Sequence, residues 1–225
     1  MEWKERPLDV AVHTNPGEPP EDLARAQLWI GDLDEILVGG RVELLSLDER
    51  ERARRCTSLE ERHRFVASCL FTRDVMGQVT GLPPESLRFV EGDSGRTELA
   101  ADSLPAEAAR KIRFGLSRSE RALVLGLALG RDVGVGLEVV RPVDELVRIA
   151  EAQFSGAEVA RLKALPEREF VLEFCRLWAR REAIANLDGS ARWRGGRTVP
   201  GSARTTSFEF ALRERLVVGS MAVRC

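Results

Sequence analysis

Between residues 111 and 140 apolar positions alternate with small or polar ones in three successive runs, KIRFGLS, ALVLGLALG and DVGVGLEVV. A period of two predicts strands. In the third run Val133, Val135, Leu137 and Val139 point one way, and Gly134, Gly136 and Glu138 point the other. The apolar row suits a core; the opposite row offers two bare backbone positions and one carboxylate. Elsewhere the period lengthens to that of a helix. LEERHRFVASCLFTRDVMGQVTG gathers Phe65, Val66, Cys69 and Leu70 on one face and stops at Gly81. Just before it, LSLDERERARR opens on Ser46, an N-cap with Glu49 at capping-box spacing. AQLWIGDLD predicts a first strand, HTNPGEPPEDL a Pro-rich loop, and LPPESLRFVEGDSGRTELA a turn, a strand, a Gly-rich turn and a short strand.

The second half repeats the plan of the first. After a helix over VDELVRIAEAQ, the stretch FSGAEVARLKALPEREFVLEFCRLWARREAIANLDG places SGAE where SLDE stood and EFV where RFV stood, again ending at a Gly. The offset is about 105 to 109 residues. The tail TSFEFALRERLVVGSMAVRC predicts a hairpin. These patterns predict an α+β fold of two halves, 1–111 and 112–225, each a long helix on a small, mainly antiparallel sheet. The halves are expected to be related by a pseudo-twofold axis and to enclose a cleft.

Charge and composition narrow the function. A formal charge of −2 gives no global field toward nucleic acid or membrane surfaces. No apolar run is long enough to span a bilayer, and MEWKERPLDV does not read as a signal peptide, so a cytoplasmic monomer is expected. Cys56, Cys69, Cys175 and Cys225 form no C-x-x-C pair, which argues against zinc and for free thiols. His13 and His63 are the only histidines, so chemistry needing several imidazoles is excluded. The basic residues are nearly all Arg; Lys4, Lys111 and Lys163 are the only lysines.

Four segments could carry chemistry, and each also has a plain structural reading. In FCRLWARREAIAN, Phe174, Trp178 and Glu182 share a helix face, so Glu182 is either a partly buried ligand or a surface partner for Arg. RFGLSRSER offers Ser117, Arg118 and Ser119 to a phosphate, or is a polar hairpin turn. EGDSGRTE ends in Arg96, and by itself is a hairpin. SARWRGGRTVPGSART (190–205) is an anion-facing flap or a solvated loop.

The order of these pieces resembles the Sfp-type 4′-phosphopantetheinyl transferases. LLSLDERERARR, RHRFV, GLPPESLRF, GDSGRTEL, FGLSRS, VGVGLE, FSGAE and LWARREA follow one another over roughly residues 44–188. The resemblance implies a two-half pseudo-dimeric fold and transfer of phosphopantetheine from coenzyme A to a serine of an acyl or peptidyl carrier protein, with Mg2+. It implies that Glu138 and Glu182 hold the metal with an aspartate at the position of Gly136, and that Arg96, Ser117, Arg118 and Ser119 face CoA. The departures lie at those positions. Gly136 removes a ligand from an ion that wants near-octahedral oxygen donors. Arg181 stands for a lysine, and arginine effectively cannot release a proton. Arg118 stands for a histidine, Cys69 for an arginine, Asn186 for a second lysine and Thr97 for a proline.

Three functions follow. The first is a repurposed member performing a magnesium-independent step, such as cyclisation, on a CoA- or carrier-linked intermediate of polyketide or peptide biosynthesis. Glu138, Glu182, Arg181 and Arg118 would then be its catalytic residues. The second is a working Mg2+-dependent transferase, and the third a non-catalytic carrier-protein binder. Partners are a carrier protein or a small biosynthetic intermediate, and not nucleic acid.

Overall fold

The computed structural model describes residues 9–17, 19–20, 22–92, 96–100, 102–103, 111–141, 145–189 and 203–224. Among them the elements run β1 (Val10–His13), β2 (Ala26–Asp32), α1 (Leu47–Arg55), α2 (Leu59–Thr80), β3 (Phe89–Glu91), β4 (Thr97–Leu99), β5 (Ile112–Ser119), β6 (Ala122–Leu129), β7 (Val133–Val139), α3 (Leu146–Gln153), α4 (Gly156–Lys163), α5 (Glu167–Leu187), β8 (Ala203–Leu212) and β9 (Arg215–Arg224). The fold is mixed α+β, with sheets of order β1-β2-β6-β5, β3-β4 and β7-β9-β8. All pairings are antiparallel except β1 with β2.

Local chemistry sets the helix ends. Ser46 and Ser155 both close reciprocal capping boxes, with Glu49 and Glu158, and so satisfy the first orphan N–H groups of α1 and α4. Ser58 caps α2, which ends at Gly81 with φ +72, a conformation that suits a residue without Cβ. Arg73, 2% exposed, ties α1 to α2. Its Nε donates to the Leu44 carbonyl at 2.8 Å, and the guanidinium pairs with Glu49 at 2.7 Å.

Alternation along the strands stacks the layers. Leu123, Leu125 and Leu127 of β6 pack with Phe114 of β5 under Ala67, Phe71 and Val75 of α2. On the other face Ala122, Val124 and Ala128 meet Val133, Val135, Leu137 and Val139 of β7. Those four are the predicted apolar row, each at most 4% exposed. Ala222 of β9 then packs on Ala183, Ile184 and Leu187 of α5. The order is therefore helix, sheet, sheet, helix. The hairpin β5–β6 hydrogen-bonds into the sheet that contains β2, so the expected division at 111/112 cuts one sheet. The change from one sheet to the other falls at 130–132. β1 is a strand that the Pro-rich neighbourhood did not suggest; its short parallel pairing to β2 supplies order that side-chain alternation alone does not show.

Candidate functional site

The edge strand β5 lies beside β7, the edge strand of the second sheet. A Cβ on Gly115 would sit 3.1 Å from the Val133 carbonyl, so the backbones nearly touch. Odd residues of β5 face this seam, which places Ser117 and Ser119 opposite β7 and α5. Ser117 Oγ donates to Glu182 Oε1 at 3.0 Å, and the Leu137 N–H donates to Glu182 Oε2 at 3.2 Å. Ser119 Oγ donates to Glu138 Oε2 at 3.3 Å and accepts from the Val139 N–H at 3.1 Å. Asn186, one turn beyond Glu182, donates from Nδ2 to the Val135 carbonyl at 2.7 Å, and its side chain also hydrogen-bonds Glu182. The site thus joins three elements through two carboxyls, two hydroxyls and an amide.

Its electrostatics follow from burial. Desolvation, then the neighbouring Glu182 charge, pushes the Glu138 carboxyl up to about 7, against the pull of the Ser119 hydrogen bond. Desolvation also raises Glu182, opposed by hydrogen bonds from Leu137, Ser117 and Asn186. Two carboxyls so placed do not both ionise freely.

Gly136 does not open onto this pair as a vacant ligand position. Its face of β7 is covered by the backbone of α5: a Cβ there would lie 2.0 Å from the Ala179 carbonyl oxygen and 2.8 Å from the Ala183 nitrogen. At Gly134 a Cβ would lie 2.0 Å from the Ala183 carbonyl oxygen and 2.3 Å from the Leu187 nitrogen. The two bare positions are the bed of a helix whose facing residues, Ala179 and Ala183, are also small and fully buried. Such close approach needs glycine on the strand. Among the described residues no group of three or more His, Cys, Asp or Glu side chains is arranged to hold a metal ion.

The remaining expected site residues are dispersed. Arg118 is on β5 but at an even position, with Phe114 and Leu116 on the α2 side, away from Ser117 and Ser119. It lines a groove of 420 Å³ with Cys56, Ser58, Glu61, Arg64 and Phe65. Arg181 leaves α5 in another direction. It donates to the Gln153 carbonyl at 2.5 Å and to Glu158 at 2.6 Å, and lies 4.4 Å over the Phe154 ring. It therefore fastens α5 to the start of α4, so Arg118 and Arg181, both expected as catalytic residues, have different surroundings. Arg96 donates to the Leu187 carbonyl at the end of α5, 3.1 Å away, and approaches Asp132 at 3.8 Å. Cys69 is a half-buried thiol pushed up to about 12 by desolvation, so it supplies no charge at the position where the family has an arginine. Residues 190–202 of the arginine-rich segment lie outside the described residues. Asn186 was singled out only as a missing lysine; its place four residues after Glu182, on the same helix face, was the signal for its part in the site.

No family model matches the chain. It is 30% identical over 145 residues to the 4′-phosphopantetheinyl transferase HetI of Nostoc sp., covering 64% of this chain and 60% of that one. To the 4′-phosphopantetheinyl transferase AcpT of Salmonella typhi it is 33% identical over 128 residues, 56% of this chain and 61% of that one. To slr0495 of Synechocystis sp., provisionally named a 4′-phosphopantetheinyl transferase, it is 26% identical over 167 residues, 74% of this chain and 66% of that one. The matched stretches span less than two thirds of these relatives' own lengths. Several similar proteins thus carry one family name, 4′-phosphopantetheinyl transferase, and this is the family that the order of motifs resembles.

Proposed function

We propose that the chain acts on a pantetheine-bearing substrate, linked to CoA or to a carrier protein, by a step that does not use a three-carboxylate magnesium centre. The observation that carries this reading is the packing of α5 on Gly136, where the Ala179 carbonyl fills the space a third carboxylate would need. Of the carboxyl oxygens that remain, both of Glu182 and one of Glu138 are already engaged. Both Glu182 oxygens accept hydrogen bonds, and both serine hydroxyls donate to carboxyls. Magnesium needs near-octahedral oxygen ligands at short range, and this arrangement does not fit such a centre.

What the residues do offer is proton chemistry. A carboxyl poised near neutral pH, beside a second carboxyl and two hydroxyls, can take a proton at one oxygen while a neighbour returns one elsewhere. Cyclisation or rearrangement of a polyketide or peptide intermediate on its pantetheine arm is the class of step that such a pair serves. The same reading takes the two helix-on-sheet layers as pseudo-twofold halves and a carrier protein as the partner.

A second reading, a transferase that loads carrier proteins from CoA with Mg2+, starts from the name that the similar proteins carry, 4′-phosphopantetheinyl transferase. Intact mass of apo-carrier proteins incubated with the protein, CoA and Mg2+ separates the two. The proposal expects unmodified carriers; stoichiometric loading at the rate of an ordinary transferase would overturn it.

A further inference from the structure

Two hairpin turns flank a pocket next to the glutamate pair. β5 passes to β6 through Glu120 and Arg121, and β8 passes to β9 through Arg213 and Glu214. Where φ is positive, two-residue loops usually take glycine, asparagine or aspartate. Here Glu120 has φ +52 and Arg213 has φ +53, a region that long side chains seldom occupy. Such backbone outliers gather at functional sites. Each turn is held by ion pairs to a neighbouring segment: Arg213 pairs with Glu35, Arg121 with Asp32 at 2.6 Å, and Glu120 with Arg141 at 3.1 Å. The pocket between them has a volume of 340 Å³. Its floor is Val139, Leu212 and Val217, the end of the core between the two sheets, and its rim is the charged residues of the turns. An apolar floor under a polar rim is the make-up of a small-molecule site, and the volume lies near the lower end of the usual range of about 300–1,000 Å³.

The pocket is continuous with the seam along both strands. Ser119 donates to Glu138 and accepts from the Val139 N–H; the next residue on its own strand, Glu120, is in the rim, and Val139 is in the floor. Glu120 marks the boundary, with Arg141 at 3.1 Å and Arg215 at 3.9 Å. Because Arg121, Arg213 and Arg215 each have an acidic partner, the floor and not charge supplies the affinity. A pantetheine arm ends in a thiol, and an intermediate travels on it as a thioester. With that thioester at Ser119 and Glu138, the chain beyond it reaches the floor past Glu120. Resting on the proposed reading of the seam, we infer that this pocket receives a short apolar acyl chain carried on the pantetheine arm, and so selects acylated substrates over the free thiol. A chain longer than the floor meets the charged turn at Arg213 and Glu214, which sets a length limit.

Calorimetric titration with pantetheine and its S-acetyl, S-butyryl, S-hexanoyl and S-dodecanoyl thioesters tests this, with apo-carrier loading from CoA measured in parallel. Affinity should rise about fourfold per added methylene, the factor for about 0.8 kcal/mol per buried CH2, and level off before dodecanoyl. Leu212→Phe, which fills the floor, should flatten the rise and leave pantetheine itself unchanged. Leu212→Ala, which enlarges the floor, should move the levelling to longer chains, and it serves if the Phe variant does not fold. Equal affinities across the series, or a rise that both variants leave as it is, would overturn this inference and leave the proposed function standing. Carrier loading from CoA, with the chain-length response intact, would overturn the proposed function alone. Binding of none of the probes would overturn both.

Discussion

Gly136→Ala adds a single methyl group and tests the packing on which the site depends. That methyl would lie 2.0 Å from the Ala179 carbonyl oxygen and 2.8 Å from the Ala183 nitrogen. Ordinary contact begins near 3.4 Å, so α5 must withdraw by about 1.4 Å. The obstacle is the backbone of a 21-residue helix, not the tip of a side chain, so it has no alternative rotamer. Overpacking costs about 1–3 kcal/mol in general, and here the upper part of that range is expected. For a chain of this size 3 kcal/mol lowers Tm by roughly 6–12 °C. Gly156→Ala is the control: it stands at the start of α4 with nothing within 4 Å of an added Cβ, and alanine is the better helix former, so Tm should hold or rise slightly. Differential scanning calorimetry of both variants decides. A Gly136→Ala protein as stable as wild type would show that α5 does not bear on β7 as described, and that position 136 is open after all. By the same geometry Gly136→Asp, alone or with Arg181→Lys, should destabilise the fold and restore no metal site.

Other expectations follow from the same contacts. Folding stability should fall as pH rises from about 4.5 to about 7, because the folded protein holds a proton on Glu138 that the unfolded chain releases; linkage sets the change at roughly 3 kcal/mol at most, and Glu138→Gln should flatten the profile in urea titrations across that window. Below about pH 4 the sign reverses, as Asp34 and Glu158, both lowered by arginine partners and hydrogen bonds, become protonated. Arg181→Ala should cost about 2 kcal/mol by releasing Gln153 and Glu158, with partial recovery in Arg181→Lys. Asn186→Ala should lower stability by about 1 kcal/mol and move the Glu182 carboxyl resonance in an NMR pH titration, which a purely structural loss would leave unchanged.

Much of the fold was legible because its signals are local. The capping boxes at Ser46 and Ser155, the stop at Gly81 and the inward row of β7 all depend on a few neighbouring residues, and the structure shows each of them. The assignment of β5–β6 to the first sheet was hidden, since a strand's partner is set by sheet pairing far along the chain. In the site, alternation placed Glu138 on the face of Gly136, and the same rule applied to β5 separates Arg118 from Ser117 and Ser119. The expectation that Ser117, Arg118 and Ser119 would face one ligand overlooked that alternation. Arg181 was misplaced for a different reason. Its neighbour Glu182 turns toward β7, and consecutive residues of a helix project about 100° apart, so Arg181 reaches α4 instead. How closely α5 approaches β7 depends on the fit of Ala179 and Ala183 to two glycines 43 or more residues earlier, and no local pattern reveals it.

The central claim is that the glutamate pair works without a third ligand and without magnesium. Magnesium titration by calorimetry, with and without CoA, on the wild type and on Glu182→Gln, measures it most directly. The account predicts no saturable binding below millimolar Mg2+ in either protein. Micromolar Mg2+ binding to the wild type that is lost in Glu182→Gln would contradict it, and would restore the magnesium-dependent transferase as the function of this site.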